Sequence, residues 1–245
     1  MKMKNKLTKN IAFDILFVIL IQIILYVLIP IKAIATEGIV TIQCNDINFY
    51  NGLISSLGYK VQSKDDENKT ISMTKTNIES VTKIFIRKYD QKDEEKIKDI
   101  TGIEKFTNLT DLDLSYNQIN DISAISGLTN LTNLNLEDNQ IRDISVILGL
   151  TNLTKLYLGN NQISDISAIS GLTNLTNLSL RYNQINNIGI LSGLTNLTYL
   201  NLEDNQISEI SAISGLTNLT DLNLSNTQIS DISAISGLTN LTYLS

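Results

Sequence analysis

Residues 153–174 read LTKLYLGNNQISDISAISGLTN, and this stretch decides the fold. Leu156 and Leu158 are two residues apart, so their side chains point to one side of a short strand while the intervening residues point to the other. After Asn161 the apolar positions are three residues apart, at Ile163, Ile166, Ile169 and Leu172. This spacing suits a 3₁₀ or irregular segment and does not suit an α-helix, whose period is about 3.6 residues. The stretch therefore predicts one coil, made of a strand and a return segment.

The same pattern is repeated along most of the chain. It starts again every 22 residues, in the blocks 109–130, 131–152, 153–174, 175–196, 197–218 and 219–240, and a truncated seventh block runs to Ser245. The consensus L-x-x-L-x-L-x-x-N-x-I matches the leucine-rich repeat signature in six consecutive units. A single coil cannot offset the entropy cost of ordering its own backbone, so the coils must stack. Residues 109–245 therefore predict an α/β solenoid whose strands pair in parallel and whose return segments are 3₁₀ or irregular.

Asparagine and glycine recur at fixed positions of the repeat. We predict that an inward-facing asparagine after each strand bonds to the main chain of its own turn and of the next coil. This structural column is Asn117, Asn139, Asn161, Asn183 and Asn205. The sixth block has Thr227 instead, which offers fewer hydrogen bonds and predicts a looser coil. The glycine column predicts either a positive φ angle or a position too crowded for a Cβ atom. Its members are Gly127, Gly149, Gly171, Gly193, Gly215 and Gly237.

The sequence Asn-Leu-Thr also recurs once per coil and matches the acceptor pattern for N-glycosylation. Its asparagines are Asn108, Asn130, Asn152, Asn174, Asn196, Asn218 and Asn240. Glycans at this spacing would have to be tolerated by every coil. We therefore interpret these asparagines as turn residues with a structural role.

The chain before the repeats has a different character. Within residues 36–80, Asp46 is a candidate N-cap for a helix that ends at Gly58. A terminal coil of a solenoid needs a polar cover, so we predict that this segment is a small helical N-terminal cap. Residues 81–108 are interpreted as a degenerate first repeat with a charged insertion at 87–98. The insertion is either a solvated loop or a functional element.

The N-terminal 35 residues have the features of an export signal. Four lysines precede an apolar run over residues 15–31, and Ala33 and Ala35 form an A-x-A cleavage site. These features predict a signal peptide over residues 1–35 that is cleaved after Ala35. The alternative is an uncleaved signal anchor, because the run just reaches the length that spans a bilayer. Without residues 1–35, 14 basic and 24 acidic residues remain, which changes the net charge from −6 to −10.

The composition excludes several kinds of chemistry. The chain has no His, which rules out Ser-His-Asp or Cys-His catalysis and imidazole metal ligands. Its single cysteine, Cys44, cannot form an internal disulfide and is either a buried thiol or a site for an intermolecular disulfide. Acidic residues outnumber basic ones by 25 to 19, which argues against nucleic acid binding. We expect neither a cofactor nor a metal.

The repeats resemble the internalin family of Gram-positive surface proteins. The resemblance covers about residues 44–245, and it rests on Asn-Gln-Ile-x-Asp-Ile at 117–122, 139–144 and 161–166 and on the join at 77–82. It implies a right-handed curved solenoid with the parallel strands on its concave face and the 3₁₀ or irregular segments on its convex side. It also implies that the concave face binds host proteins or glycoproteins during adhesion or invasion. Many members continue into an immunoglobulin-like domain and a cell-wall anchor, which these 245 residues do not include. We expect either a fragment or an open end that pairs with a partner.

The outward positions of the predicted strands vary between coils, whereas the return segments hardly change. Tyr and Arg often contribute most of the binding energy of an interface, and here they cluster in the middle of the array. The alternative is that these positions drift without constraint after duplication. The candidate ligand-binding residues on the concave face are Lys155, Tyr157, Arg181, Tyr182, Tyr199 and Glu203.

These features predict an exported protein-binding module, secreted or displayed on the surface of a Gram-positive bacterium. Its expected partner is a protein or glycoprotein, such as a host-cell receptor, and it contacts the membrane only through an uncleaved N-terminal segment. One alternative is a scaffold of the bacterial envelope without a host ligand. Another is a glycan hydrolase with paired carboxylates, one of them with a raised pKa. Because the acidic candidates for such a site lie in separate coils, we do not expect an enzyme. These candidates are Glu137, Asp138, Glu203 and Asp204.

Overall fold

The computed structural model describes residues 38–245. The predicted signal peptide or anchor lies outside this range. Within it the chain forms eleven strands, two α-helices and nine 3₁₀ segments. None of the helices in this part of the chain has both the length and the apolar character needed to cross a membrane.

The N-terminal part of the described chain is a small α/β unit. Strand β3 (Thr70–Thr74) pairs antiparallel with both β1 (Ile39–Gln43) and β2 (Ser63–Asp65). Helix α1 (Ile47–Leu57) follows β1, and helix α2 (Lys75–Glu79) follows β3. The predicted helix is confirmed. The cap contains in addition a three-stranded sheet that was not predicted from the sequence.

Helix α1 begins at Asp46, which has two roles. Its Oδ1 accepts hydrogen bonds from the backbone N–H groups of Asn48 and Phe49, as an N-cap should. Its Oδ2 accepts hydrogen bonds from the backbone N–H groups of Lys98 and Asp99, at 2.7 and 3.3 Å. One carboxylate therefore starts the helix and also attaches it to the end of the charged insertion.

Eight parallel strands form a second sheet, in chain order from one edge to the other. The strands are β4 (Lys83–Phe85), β5 (Asp111–Asp113), β6 (Asn133–Asn135), β7 (Lys155–Tyr157), β8 (Asn177–Ser179), β9 (Tyr199–Asn201), β10 (Asp221–Asn223) and β11 (Tyr243–Leu244). From β5 onward each residue pairs with the residue 22 positions later, so that Leu134 lies beside Leu156. The offset between β4 and β5 is larger, with Lys83 beside Asp111, because the insertion lengthens the first coil.

The return segments contain the short 3₁₀ helices that the three-residue spacing predicted, beginning with Ser123–Ile125. Their inward Ile and Leu side chains are almost all buried in one continuous core. An aspartate caps four of them, because its Oδ1 accepts a hydrogen bond from the backbone N–H two residues later. The pairs are Asp121–Ser123, Asp143–Ser145, Asp165–Ser167 and Asp231–Ser233, each at 2.8 Å.

Side-chain amides connect successive coils along the solenoid. The buried Asn161 donates to the carbonyl oxygens of Leu158, Gly159 and Leu136, and its Oδ1 accepts from the N–H of Ile141. The coil that it reaches is the preceding one, so the predicted bond to the next coil was wrong. The same pattern holds at Asn117, Asn139, Asn183 and Asn205. Thr227 bonds only to the Leu224 carbonyl oxygen, as its shorter side chain allows.

The Asn-Leu-Thr residues form two more such ladders, on the outside. Asn152 Nδ2 donates to the carbonyl oxygen of Thr129 in the preceding coil, and the hydroxyl of Thr154 donates to that of Thr132. Equivalent bonds recur from Asn130 to Asn240 and from Thr110 to Thr242. The amide that a glycan would modify is therefore occupied in holding coils together, which agrees with a structural role.

The prediction for the glycine column was wrong in both of its forms. None of the six glycines has a positive φ angle, since the positive-φ glycines of the described chain are Gly58 and Gly102. A Cβ atom at five of them would meet nothing within 4 Å, and at Gly237 it would meet only Ser214 O at 3.8 Å. In the repeats the positive φ angles lie instead at the residue before the buried asparagine, or before Thr227 in the sixth block: Tyr116, Asp138, Asn160, Tyr182, Asp204 and Asn226.

Candidate functional site

One continuous surface is formed by the outward side chains of β4 to β11. It also includes two residues per coil, the pair that directly follows the first inward leucine after each strand. This surface is called here the concave face. Neighbouring strands lie about 4.8 Å apart, so equivalent side chains of successive coils adjoin. All six sequence-predicted residues lie on this face, on β7 and β9 or just after β8 and β9. The structure brings three of them, Arg181, Tyr182 and Glu203, into one network.

Arg181 is held across the coil that precedes its own. Its Nε donates to Glu137 Oε1 at 3.2 Å, and Ser179 Oγ donates to the same oxygen at 3.0 Å. In the coil between them stands Gly159, where a Cβ atom would lie 2.7 Å from Glu137 Oε1 and 2.8 Å from Arg181 Cγ. Burial alone would lower the pKa of Arg181, but the hydrogen bond and charge of Glu137 raise it. The ion pair therefore depends on the missing side chain at Gly159.

Tyr182 and Glu203 continue the network toward the C-terminal coils. The Tyr182 hydroxyl donates to Glu203 Oε1 at 3.0 Å, and Asn223 Nδ2 donates to Oε2 at 3.1 Å. The Arg181 guanidinium lies 5.7 Å from the centre of the Tyr182 ring, within cation–π range. The hydrogen bond and the charge of Glu203 raise the pKa of Tyr182. Together these contacts fix polar side chains across five successive coils.

Tyr157 and Tyr199 are half-buried on β7 and β9, with one strand between them. Burial raises the pKa of Tyr157, with smaller contributions from Tyr199 and Glu137. Asn201 Nδ2 lies 3.5 Å from the Tyr199 hydroxyl, which is at the limit of a hydrogen bond. Lys155 is exposed beside them. These side chains are less committed to internal contacts than Arg181 and Glu203.

An aromatic group at the N-terminal end of the concave face was not predicted from the sequence. Phe85 on β4 is 48% exposed, and the rings of Tyr89 and Tyr116 meet edge to face at 4.8 Å. Phe85 occupies the same strand position as Tyr157, three strands or about 14 Å away. The signal was present in the sequence, because Lys-Ile-Phe at 83–85 is a close counterpart of Lys-Leu-Tyr at 155–157.

Charge is unevenly distributed along the chain. Residues 38–108 contain 11 basic and 11 acidic residues, whereas residues 109–245 contain 3 and 12. At the N-terminal end of the concave face, ion pairs of 3.4 Å join Lys83 to Asp111 and Arg87 to Asp113. Within residues 38–245, no group of three or more Cys, Asp or Glu side chains is arranged to hold a metal ion. The repeats are thus the acidic part of the molecule.

The parallel strands, the 3₁₀ return segments and the asparagine ladder define a leucine-rich repeat protein. Family models described as leucine-rich repeats match residues 100–141, and also 129–171, 173–215 and 217–245. A comparison with curated protein sequences gives no match.

Solved structures place the chain more closely. It is 38% identical to internalin F of Listeria monocytogenes, with a TM-score of 0.73, over 81% of this chain and 55% of that one. It is 31% identical to internalin C2 of the same organism, with a TM-score of 0.61, over 82% and 92% of the two chains. A plant peptide hormone receptor, solved in complex with RGF2, is 30% identical, with a TM-score of 0.53, over 58% and 25%. The chain belongs to the internalin family, and it spans about half the length of internalin F.

Proposed function

We propose that this chain is an exported protein-binding module that captures a protein or glycoprotein through the middle of its concave face. The observation that carries the proposal is the Glu137–Arg181–Tyr182–Glu203 network beside Tyr157 and Tyr199. A surface whose side chains are already ordered loses less entropy when a partner binds. Half-buried tyrosines supply apolar area and a hydroxyl group at the same position.

The carboxylates of the network support a binding role over catalysis. Glu137 accepts hydrogen bonds from Arg181 and Ser179, and Glu203 accepts them from Tyr182 and Asn223. Each carboxylate is therefore occupied by hydrogen bonds within the network, and the two lie in coils three strands apart, whereas the paired carboxylates of a glycosidase act together on one bond. Export and an adhesive role rest on residues 1–35 and on membership of the internalin family.

The experiment is a capture assay with the full chain against host-cell surface extracts and bacterial-envelope extracts. The variant Tyr157→Ala/Tyr199→Ala tests the site. The variant Tyr59→Ala is the control, because Tyr59 is 93% exposed in the N-terminal cap, away from the concave face. We expect a partner that wild type and control retain and the double variant loses. Capture only from the envelope extract would favour an envelope scaffold.

A further inference from the structure

Helix α1 covers the outer edge of the parallel sheet by packing against β4. The contact is close, because a Cβ atom at Gly52 would overlap the side chain of Ile86, the residue that follows β4. Beside it two shallow grooves of about 340 and 140 Å³ share Ser56 as a lining residue. Both lie between the N-terminal cap and the first coil, so they are distinct from the tyrosine site on the middle coils. These two grooves are called here the junction grooves.

The junction grooves are basic in a molecule that is otherwise acidic. Their linings include Lys60, Lys83, Arg87 and Lys88 and no carboxylate. Helix α1 itself carries no charged residue. Lys83 and Arg87 each reach an aspartate of β5, yet their side chains remain 59% and 58% exposed. Lys60 and Lys88 form no ion pair within residues 38–245, so the junction grooves present two unpaired cations and two that are each paired with one aspartate. Residues 109–245, by contrast, contain twelve acidic residues and only three basic ones.

The larger groove also offers an apolar contact and hydrogen-bonding groups. The Phe85 ring lines it and is 48% exposed. On the opposite wall Asn51 and Ser55 of α1 are exposed. Amide and hydroxyl side chains of this kind can donate hydrogen bonds to, and accept them from, the backbone of a bound peptide. A single surface therefore combines cations, an aromatic ring and neutral polar groups.

We infer that the junction grooves form a second binding site, for an acidic polypeptide segment that carries an apolar side chain between carboxylates. The carboxylates pair with the cations, and the apolar side chain covers Phe85. A polyanion such as a sulfated glycan would satisfy the cations but leave the ring without an apolar partner. The site is separate from the proposed tyrosine site, so loss of one leaves the other intact.

The probe is a fluorescently labelled peptide of Glu and Asp residues around a central Leu-Phe, titrated against the full chain in neutral detergent and followed by anisotropy. Two variants test the site. Phe85→Ser introduces the residue that β8 carries at this strand position, and Lys60→Gln/Lys88→Gln removes two cations that form no ion pair within residues 38–245. Each variant is expected to weaken binding at least about fivefold, and added salt should weaken wild-type binding.

Arg142→Gln is the matched control, because it removes one exposed cation of the repeats that belongs to neither proposed site and should leave peptide binding unchanged. Thermal unfolding midpoints within a few degrees of wild type show that the variants are folded. A second peptide has Ser-Ser in place of Leu-Phe. It should bind wild type more weakly than the first peptide does, and the two peptides should bind Phe85→Ser equally. The inference is overturned if the peptide does not bind or if neither variant changes its binding. It is also overturned if heparin, a sulfated glycan, binds with no dependence on Phe85.

Discussion

At the scale of single residues, Asn161 satisfies four backbone groups in two coils. Replacing it by Thr, as at position 227, leaves the buried N–H of Ile141 without its acceptor. The cost of such an orphan group is about 1–3 kcal/mol, so Asn161→Thr should lower the free energy of unfolding by that amount. Urea unfolding measures it. The reverse change, Thr227→Asn, should stabilise the chain, and a neutral Asn161→Thr would contradict the ladder's role.

Two glycines should respond in opposite ways to substitution by alanine. Gly171 has no positive φ angle and open space around it, so Gly171→Ala should stabilise the protein by about 0.4–1 kcal/mol through the unfolded chain. Gly102 has a φ of 107°, and its added Cβ would lie 2.8 Å from the backbone oxygen of Gln43. Gly102→Ala should therefore lower the unfolding midpoint. Equal effects of the two changes would refute this distinction.

At the scale of elements, Asp46 joins α1 to the first coil through two separate oxygens. Asp46→Ala should lower the free energy of unfolding by about 2 kcal/mol or more, because it removes a cap and a second pair of hydrogen bonds. Asp46→Ser keeps the N-cap and loses the bonds to Lys98 and Asp99, so its effect should be intermediate. Chemical denaturation of both variants measures the two contributions. Equal stability of Asp46→Ser and wild type would show that the second pair contributes nothing.

The elements of the repeats could be predicted because their apolar spacing is regular and each coil repeats the last. The sheet of the N-terminal cap could not be predicted in the same way. Strand β2, Ser63–Asp65, is polar and exposed at all three residues, and it is a strand only because it pairs with β3. The prediction for the glycine column was wrong because the recurrence of a glycine does not by itself imply a requirement of backbone geometry. In a duplicated chain it also recurs where the structure does not need it.

At the scale of the whole molecule, acid should destabilise the fold. Partial burial opposes ionisation of Asp111, but the Thr110 hydroxyl and Lys83 lower its pKa below the ordinary value. Backbone N–H groups of Ser145 and Ser233 lower the pKa values of Asp143 and Asp231. Such carboxylates contribute stability above the unfolded pKa of about 3.9, and it is lost as the pH falls through the lower folded pKa.

The temperature at the midpoint of unfolding should therefore be lower at about pH 2.5 than at about pH 6. Thermal unfolding followed by circular dichroism measures this change. Asp111→Asn should show a smaller drop than wild type, because one titrating group is removed. A midpoint that is unchanged at the lower pH would contradict the assignment of these aspartates.

The candidate site could be predicted only in part. A fixed period of 22 residues is enough to place Tyr157, Arg181 and Tyr199 on one face. It does not show that Arg181 crosses a coil to reach Glu137, because this depends on the absence of a side chain at Gly159. The period also does not show that Phe85 occupies the same strand position as Tyr157, because the charged insertion breaks the period.

The central claim is that the middle of the concave face binds a protein partner. Hydrogen exchange of the full chain, measured with and without the captured partner, tests it most directly. We expect added protection in β7 to β9 and in the residues that follow these strands, Arg181 and Tyr182 among them. The 3₁₀ segments of the same coils, such as Ser167–Ile169, should be unchanged and serve as the internal control. Protection confined to the return segments or to the N-terminal cap would contradict the claim.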